Sequence, residues 1–488
     1  MIKPKKIKRA DLSAFLATNM ARKKHYILEN IRLENAGAKG VAVGKTDEGK
    51  TVLVSGAVPG DLVNVLVRKN KSRYIEGDAV EILEKSPGRV EPKCIHFGVC
   101  GGCKWQNLSY EKQLEFKKNE VENNLRRIGG LSDFETLPIL GSERQYFYRN
   151  KMEFSFSNAR WLSPKEINSQ EEIAERNALG FHIPGMWSKI LDLKECWLQE
   201  APSNEIRLAV RDFATKNGLE FFDVKNHGGF LRSLMLRQNS KGEWMVAFQL
   251  FREEKENSQA LFDFLLGKFP QIKTLLYAIN PKTNDSIYDL DFQTYFGEGF
   301  LTEEMDGLKF RIGPKSFFQT NYHQALELYR KTLELADLQG GETVYDLYTG
   351  TGTIAQYLAR KAGQVIGIEA VPEAIAAAKD HAKLNGLENC TFYCGDMKEV
   401  FTEEFLAAHP KADVLITDPP RDGMHQKVVE QILKLRPEKI VYVSCNSATQ
   451  ARDIALLKEA YTLTKILPVD MFPQTHHIEN IALLIRRS

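Results

Sequence analysis

Six short apolar runs in the carboxy-terminal third constrain this chain more than anything else in it. They lie at 343–347, 364–369, 391–395, 413–417, 440–444 and 481–486, and helical patterns such as 372–385 and 424–435 fall between them. Continuous apolar runs of strand length are buried on both faces, and strands alternating with helices build a doubly wound parallel sheet. Ligands bind such a sheet at the carboxyl ends of its strands. The residues just beyond each run are therefore where chemistry is expected.

The first run ends in Asp346-Leu-Tyr348-Thr-Gly350-Thr-Gly352-Thr353. Two glycines at a strand-to-helix turn let backbone approach a ligand closely. The second run ends in Glu369, spaced from Gly350 as the acid that holds a ribose is spaced in nucleotide-binding folds. Gly350-x-Gly352-x-x-Ala355 also satisfies a loose dinucleotide fingerprint, so an NAD-dependent oxidoreductase is one reading. A pyrophosphate would favour basic groups, however, and this end of the sheet gathers Asp346, Glu369, Asp396 and Asp418. Acids suit a cationic ligand without phosphates, such as the sulfonium S-adenosylmethionine. Asp418-Pro-Pro-Arg421 sets a stiff turn with a carboxylate at its mouth; similar turns occur in adenine-amino methyltransferases. Cys445 follows the run at 440–444, where a thiol can meet a substrate, although a small core residue is the commoner use of a free Cys. Glu479 stands before the last run, beside Phe472-Pro473 and two His.

With 488 residues the chain is too long for one core. Residues 27–85 read as short strands separated by Gly and Asp turns, an OB-like barrel, with Lys69, Lys71, Arg73 and Tyr74 clustered on it. Residues 1–26 hold eight Lys or Arg against Asp11 alone, an arm able to neutralise phosphates or simply a solvated tail. Cys94-x5-Cys100-x2-Cys103 is hard to explain as packing; a metal centre fits, and Cys196 is the candidate fourth ligand for zinc or a 4Fe–4S cluster. Cys390 and Cys394 read as core. A helix is expected over 109–128, and a hairpin joins 231–237 to 244–250. In Phe317-Phe-Gln319-Thr-Asn321, Gln319 suggests ligand contact, and a cap for the following helix is the alternative. No apolar run reaches the length of a membrane span, and no apolar stretch follows the charges at the start, so a cytoplasmic protein is expected.

Cys445-Asn446, Asp418-Pro-Pro-Arg421, Phe318-Gln319-Thr-Asn321 and Phe472-Pro-Gln-Thr475 through His477-Ile-Glu479 resemble the motifs of the RNA uracil-5-methyltransferase family. The barrel resembles its TRAM domain, and Cys94, Cys100, Cys103 and Cys196 match its 4Fe–4S ligands. The resemblance implies an α/β protein: a basic arm (1–26), a TRAM barrel (27–86), a central α+β RNA-binding domain with the iron–sulfur site (87–320), and a Rossmann-like class I methyltransferase domain (321–488). It implies that Gln319, Tyr348, Thr353, Glu369, Asp396 and Asp418 line the S-adenosylmethionine pocket, that Cys445 is the nucleophile and that Glu479 is the base. It implies a monomer acting on RNA, on the 23S rRNA branch more than the tRNA branch. Two positions depart from the pattern. Ser447 replaces the Pro that follows Cys-Asn, which is expected to loosen the nucleophile loop, and Thr353 replaces an Asn.

The chemistry accounts for these residue types independently. Carbon 5 of uracil is a poor nucleophile until a thiolate adds to carbon 6, and a base must afterwards remove the carbon 5 proton. A paired uridine cannot present carbon 6 to a pocket, so the target is expected in a loop or flipped out.

Overall fold

Alternating valines build the amino-terminal unit. Its strands β1 (Ile27–Ala36), β2 (Ala42–Lys45), β3 (Thr51–Ser55), β4 (Leu62–Asn70) and β5 (Tyr74–Glu84) close into a barrel in the order β1-β2-β3-β5-β4. Val52 and Val54 on β3 and Val63, Val65 and Val67 on β4 point inward, while the residues between them are part-exposed. Arg89 donates to both oxygens of the fully buried Asp61, at 2.8 to 3.1 Å, and so ties the end of this unit to the β4 turn. The computed structural model describes residues 26–169 and 172–488, and the chain divides into two units, Met1–Arg89 and Val90–Ser488. The expected basic arm lies outside the described residues except for Tyr26.

The second unit begins with the cysteine-bearing loop and helix α1 (Tyr110–Arg127), followed by the short β6 (Glu135–Thr136). A seven-stranded sheet comes next. It consists of β7 (Lys151–Ser157), β8 (Ala178–Ile183), β9 (Met186–Asp192), β10 (Leu231–Gln238), β11 (Trp244–Leu250), β12 (Ile272–Ile279) and β13 (Gln293–Phe296), ordered β13-β12-β11-β10-β7-β8-β9. The expected hairpin is β10–β11. Helices α2 (Ser203–Lys216) and α3 (Lys255–Lys268) share one apolar core with this sheet, built on Phe154, Ile206, Phe248 and Phe262. A two-stranded ribbon, β14 (Leu301–Met305) and β15 (Leu308–Ile312), leads into α4 (Tyr322–Ala336).

The carboxy-terminal sheet has eight strands. They are β16 (Thr343–Leu347), β17 (Gln364–Glu369), β18 (Cys390–Cys394), β19 (Val414–Thr417), β20 (Lys439–Ser444), β21 (Tyr461–Val469), β22 (Glu479–Arg486) and the earlier β6. Their order is β18-β17-β16-β19-β20-β22-β21-β6. Helices α5 (Thr353–Ala359), α6 (Pro372–Leu384), α7 (Gln426–Leu435) and α8 (Ser447–Leu457) connect them, and a separate apolar core covers each face. The chain order reverses between β16 and β19, which opens a crevice at their carboxyl ends.

Three expectations need correction. The sheet is not wholly parallel: β22 runs antiparallel to β20, and β21 antiparallel to β22. Strand β21 is absent from the apolar runs because Thr462, Thr464, Lys465 and Pro468 interrupt its pattern; its burial alternates at the start, and only its last four residues are all buried. Cys394 is exposed rather than core, because β18 is the edge of the sheet and Cys394 is its last residue. Among the described residues no helix is long and apolar enough to cross a membrane.

Candidate active site and cysteine centre

Strand register brings Cys445 and Glu479 together. In the β20–β22 pair Ser444 faces Asn480, so one further step aligns Cys445, just past the end of β20, with Glu479, the first residue of β22. Glu479 is 5 % exposed and Cys445 part-buried. Asn446 caps α8 through Ala448 N–H and donates to the Arg421 carbonyl at 2.8 Å; Thr449 Oγ1 donates to the same carbonyl at 3.1 Å. The thiol loop and the Asp418-Pro-Pro-Arg421 turn are thus fastened to each other. Ser447 does not hang loose in place of proline: it is buried, and its hydroxyl accepts from Asn124 on α1 at 2.8 Å.

The electrostatics follow from crowding carboxylates in a shielded place. Burial pushes the Cys445 thiol up to about 11, helped by the charges of Glu479 and Asp418; Arg421 opposes this by its charge and by a hydrogen bond. Burial, then Asp418, drives Glu479 well above the usual carboxylate range, and again Arg421 opposes. Asp418 rises to about 7 through desolvation and the charge of Asp346. Although part of Asp418 faces the cavity, the surrounding protein dominates its environment. Asp346, 1 % exposed, also rises to about 7, chiefly by desolvation, while hydrogen bonds from Thr349 and the Ala355 N–H pull it back.

The turn after β16 carries Tyr348 at φ +64°, where a bulky side chain is strained, then Gly350 at +56° and Gly352 at +75°. A Cβ on Gly352 would lie 2.9 Å from the Ala378 Cβ on α6, so this turn needs the glycine for space as well as for conformation. Glu369 accepts from the N–H groups of Gly350, Ala370 and Val371, which fixes its carboxylate at the crevice. Asp396 is exposed and accepts from Lys398 N–H at 3.1 Å, which holds its carboxyl below the usual range. Thr353 is the first residue of α5 and nearly buried. At 319–321 Asn321 is buried and caps α4, while Gln319 is part-buried on the cavity wall.

All twelve residues singled out in the sequence line one cavity of about 1930 Å³: the nucleophile and base candidates, the six pocket residues and the four cysteines. Arg421, Asp346 and Tyr329 line it too. Arg421 was part of a noted motif, but its role as the cation facing both Cys445 and Glu479 needed the tertiary structure. Tyr329 carried no signal, being one aromatic among the apolar positions of α4.

The four cysteines are free, part-buried and close enough to feel one another's charge. Burial first, and neighbouring thiolates after it, push Cys103 up to about 12 and Cys196 to about 11. Gly102 N–H points at the Cys100 sulfur at 3.5 Å, and the buried Gln106 accepts from Cys94 N–H. Arg207 is fully buried near Cys196; among the described residues it forms no ion pair with a carboxylate, and its Nε has no partner. A buried cation so placed fits a group of thiolates. Among the described residues no three His, Cys, Asp or Glu side chains stand close enough to share one metal ion.

A family model described as tRNA (Uracil-5-)-methyltransferase matches residues 290–487, and a TRAM domain model matches residues 30–80. A protein of Bacteroides thetaiotaomicron described as an uncharacterized RNA methyltransferase is 50% identical over 450 residues, 92% of this chain and 99% of that one. One of Porphyromonas gingivalis with the same description is 49% identical over 465 residues, 94% of this chain and all of its own length. The crystal structure of Pyrococcus abyssi tRNA (uracil-54, C5)-methyltransferase in complex with S-adenosyl-L-homocysteine superposes with a TM-score of 0.72 at 28% identity, covering 94% of this chain and 100% of that chain. Half of the sequence is shared with an RNA methyltransferase along nearly the whole of both chains, and the uracil-5 model matches the carboxy-terminal stretch 290–487 that holds Cys445 and Glu479; the chain belongs to the RNA uracil-5-methyltransferase family.

Proposed function

We propose that this protein transfers the methyl group of S-adenosylmethionine to carbon 5 of an unpaired uridine in RNA, with Cys445 as nucleophile and Glu479 as base. The observation that carries this reading is the alignment of a thiol and a buried carboxylate across β20 and β22, at the edge of an acid-lined crevice. Gln319, Tyr348, Thr353, Glu369, Asp396 and Asp418 are the residues we assign to the cofactor. Their carboxylates suit a sulfonium, and Glu369 keeps acceptor capacity for ribose hydroxyls. When bound, S-adenosylmethionine supplies an electrophilic methyl group. Cys445 gives up its proton to solvent and adds to carbon 6 of the uracil, which moves an electron pair onto carbon 5 and the carbonyl oxygen; carbon 5 uses that pair to take the methyl group, and the methyl–sulfur bond breaks so that the sulfonium leaves as a neutral thioether. Arg421 stabilises the thiolate before attack. Once sulfur is bonded to carbon it carries no charge, so Glu479 can ionise without a thiolate beside it. Glu479 then takes the carbon 5 proton, and the electron pair returns to expel Cys445.

We assign a 4Fe–4S cluster to Cys94, Cys100, Cys103 and Cys196. A single zinc would need sulfurs roughly 3.8 Å apart, given Zn–S bonds of about 2.3 Å, whereas a cluster takes one thiolate on each of four irons and so accepts a wider set. When bound it would supply a rigid, charge-neutralising core beside Arg207. Anaerobically purified protein should be brown, with about four irons per chain; stoichiometric zinc without iron would sink the assignment.

Large-subunit ribosomal RNA is the substrate we favour, on the combined resemblance of barrel and cysteines. Transfer RNA is the second reading, supported by the full-length likeness to the Pyrococcus enzyme. One experiment tests the mechanism and separates the substrates. Transcripts of 23S rRNA segments and of tRNA, each carrying 5-fluorouridine, are incubated with protein and S-adenosylmethionine and run on denaturing gels. Fluorine cannot leave as a proton does, so the true substrate should stay covalently attached at Cys445. Cys445→Ala should give no shifted band on any RNA. On natural RNA, Glu479→Gln should form the adduct and release it slowly. A shifted band from Cys445→Ala, or wild-type turnover by Glu479→Gln, would refute these roles.

A further inference from the structure

A second cavity, of about 860 Å³, lies on the seven-stranded-sheet side of the same unit, and the mechanism makes no use of it. Trp187, Lys225, His227, Thr283 and Asp285 line it, together with His182. Trp187 is 66 % exposed, yet the backbone behind it is held: His182 Nδ1 lies 2.7 Å from the Trp187 carbonyl, across the β8–β9 hairpin. The indole is thus carried on a fixed hairpin and open to solvent at the cavity wall. Opposite it, Lys225 and His227 are exposed on a tight turn. Asp223 fixes that turn by accepting from Lys225 N–H, Asn226 N–H and the side chains of Asn158 and Asn226. The one acid among the residues lining the cavity, Asp285, is neutralised by the buried Arg232 at 2.8 Å, whereas Lys225 has no ion pair among the described residues. The cavity therefore presents an aromatic face, a lysine without an ion pair among the described residues and the imidazole of His227.

Two features connect it to the catalytic cavity. His182 lines both. So does the segment after β12: Thr283 and Asp285 face the small cavity, while Tyr288, 72 % exposed, lines the large one. Arg232 pins this segment by donating to the carbonyls of Asn280, Lys282 and Asn284 at 2.6 to 2.8 Å. The segment that borders both cavities is thus fastened to β10.

We infer that the smaller cavity is a subsite for a second, unpaired nucleotide of the same RNA whose uridine enters the larger one, with its base stacked on Trp187 and its phosphate on Lys225. This rests on the proposed RNA methylation. Stacking tolerates any base, and a lysine beside the stack neutralises the backbone, so the subsite contributes affinity and register rather than sequence choice.

The test uses the full-length protein and a labelled single-stranded oligouridylate of about twenty nucleotides. Trp187→Ala should bind it roughly tenfold more weakly, and Trp187→Phe should recover most of that loss. Lys225→Ala should lower the slope of log affinity against log salt by about 0.7, one phosphate on a single strand. Binding of S-adenosylhomocysteine, and covalent trapping of the 5-fluorouridine transcript at saturating RNA, should match wild type in all three variants. Wild-type affinity in Trp187→Ala, a wild-type protein that does not bind the oligouridylate, or lost trapping at saturating RNA would overturn the subsite. Tight, Trp187-dependent binding without any covalent trapping by wild type would instead keep the subsite and overturn the proposed chemistry.

Discussion

At the scale of single residues, the cost of gathering acids around a cationic ligand falls on the empty protein. Asp346 keeps its proton to about pH 7 in the folded chain but loses it near pH 4 when unfolded. Its contribution to stability is therefore fully present below about pH 4 and is lost as pH rises to about 7. Asp346→Asn removes this titration. In thermal melts without ligand the variant should gain on wild type between pH 5 and pH 8, by on the order of 2 kcal/mol; a difference that stays constant with pH would show that Asp346 ionises normally. Cys445 was legible because it follows an apolar run, and the acids because they end other runs. Arg421 was visible only as part of a motif, since nothing in a linear sequence shows that one guanidinium faces both a thiol and a carboxylate.

At the scale of elements, the segment that delivers Glu479 is gripped by α1. Lys117, fully buried, donates to Asp470 at 2.6 Å and to the Phe472 carbonyl at 3.1 Å. Tyr110 donates to the other oxygen of Asp470, and Gln113 exchanges hydrogen bonds with Gln474. Lys104 and Trp105, just after the cysteine loop, donate their N–H groups to the Gln474 carbonyl at 2.8 and 3.0 Å. Gln474 itself sits at φ +67°, so its backbone is held against its preference. Removing one partner of a buried ion pair strands the other charge, so Lys117→Ala should cost about 3–5 kcal/mol in urea unfolding. Lys117→Met with Asp470→Leu should recover most of that stability but little activity, because the Phe472 carbonyl and the Phe472 N–H both lose their partners. Full activity in the double variant would mean that the loop holds itself. The sequence showed α1 as a polar periodic helix with a Gly stop. It could not show that a lysine on that helix is a core residue, because its partner lies 353 positions away.

At the scale of the molecule, we propose that the first unit contributes affinity for RNA and the second the chemistry. Lys71 and Arg73 are exposed at the β4–β5 turn of the barrel and form no ion pair among the described residues, whereas Lys69 is paired with Glu76. Deleting residues 1–89 should weaken RNA binding and reduce the salt slope by about two or more, while S-adenosylhomocysteine binding by the second unit is kept. Equal RNA affinity at every salt concentration would make the first unit a bystander. The sequence by itself determined the local patterns: all six apolar runs as strands, the barrel from its alternating valines, the α1 and α6 helices, and the glycines after β16. These follow from periodicity and backbone preference, which neighbouring residues carry. It did not determine β21, whose polar and proline positions hide a strand that becomes evident only beside β22, nor the solvent exposure of Cys394 at a sheet edge. Only the tertiary structure decided that Cys445 meets Glu479, that the charge of Arg421 acts on both and that four cysteines share a cavity with them. Those contacts are set by strand order and register, and register is fixed by how whole faces are buried, a property no short stretch of sequence contains.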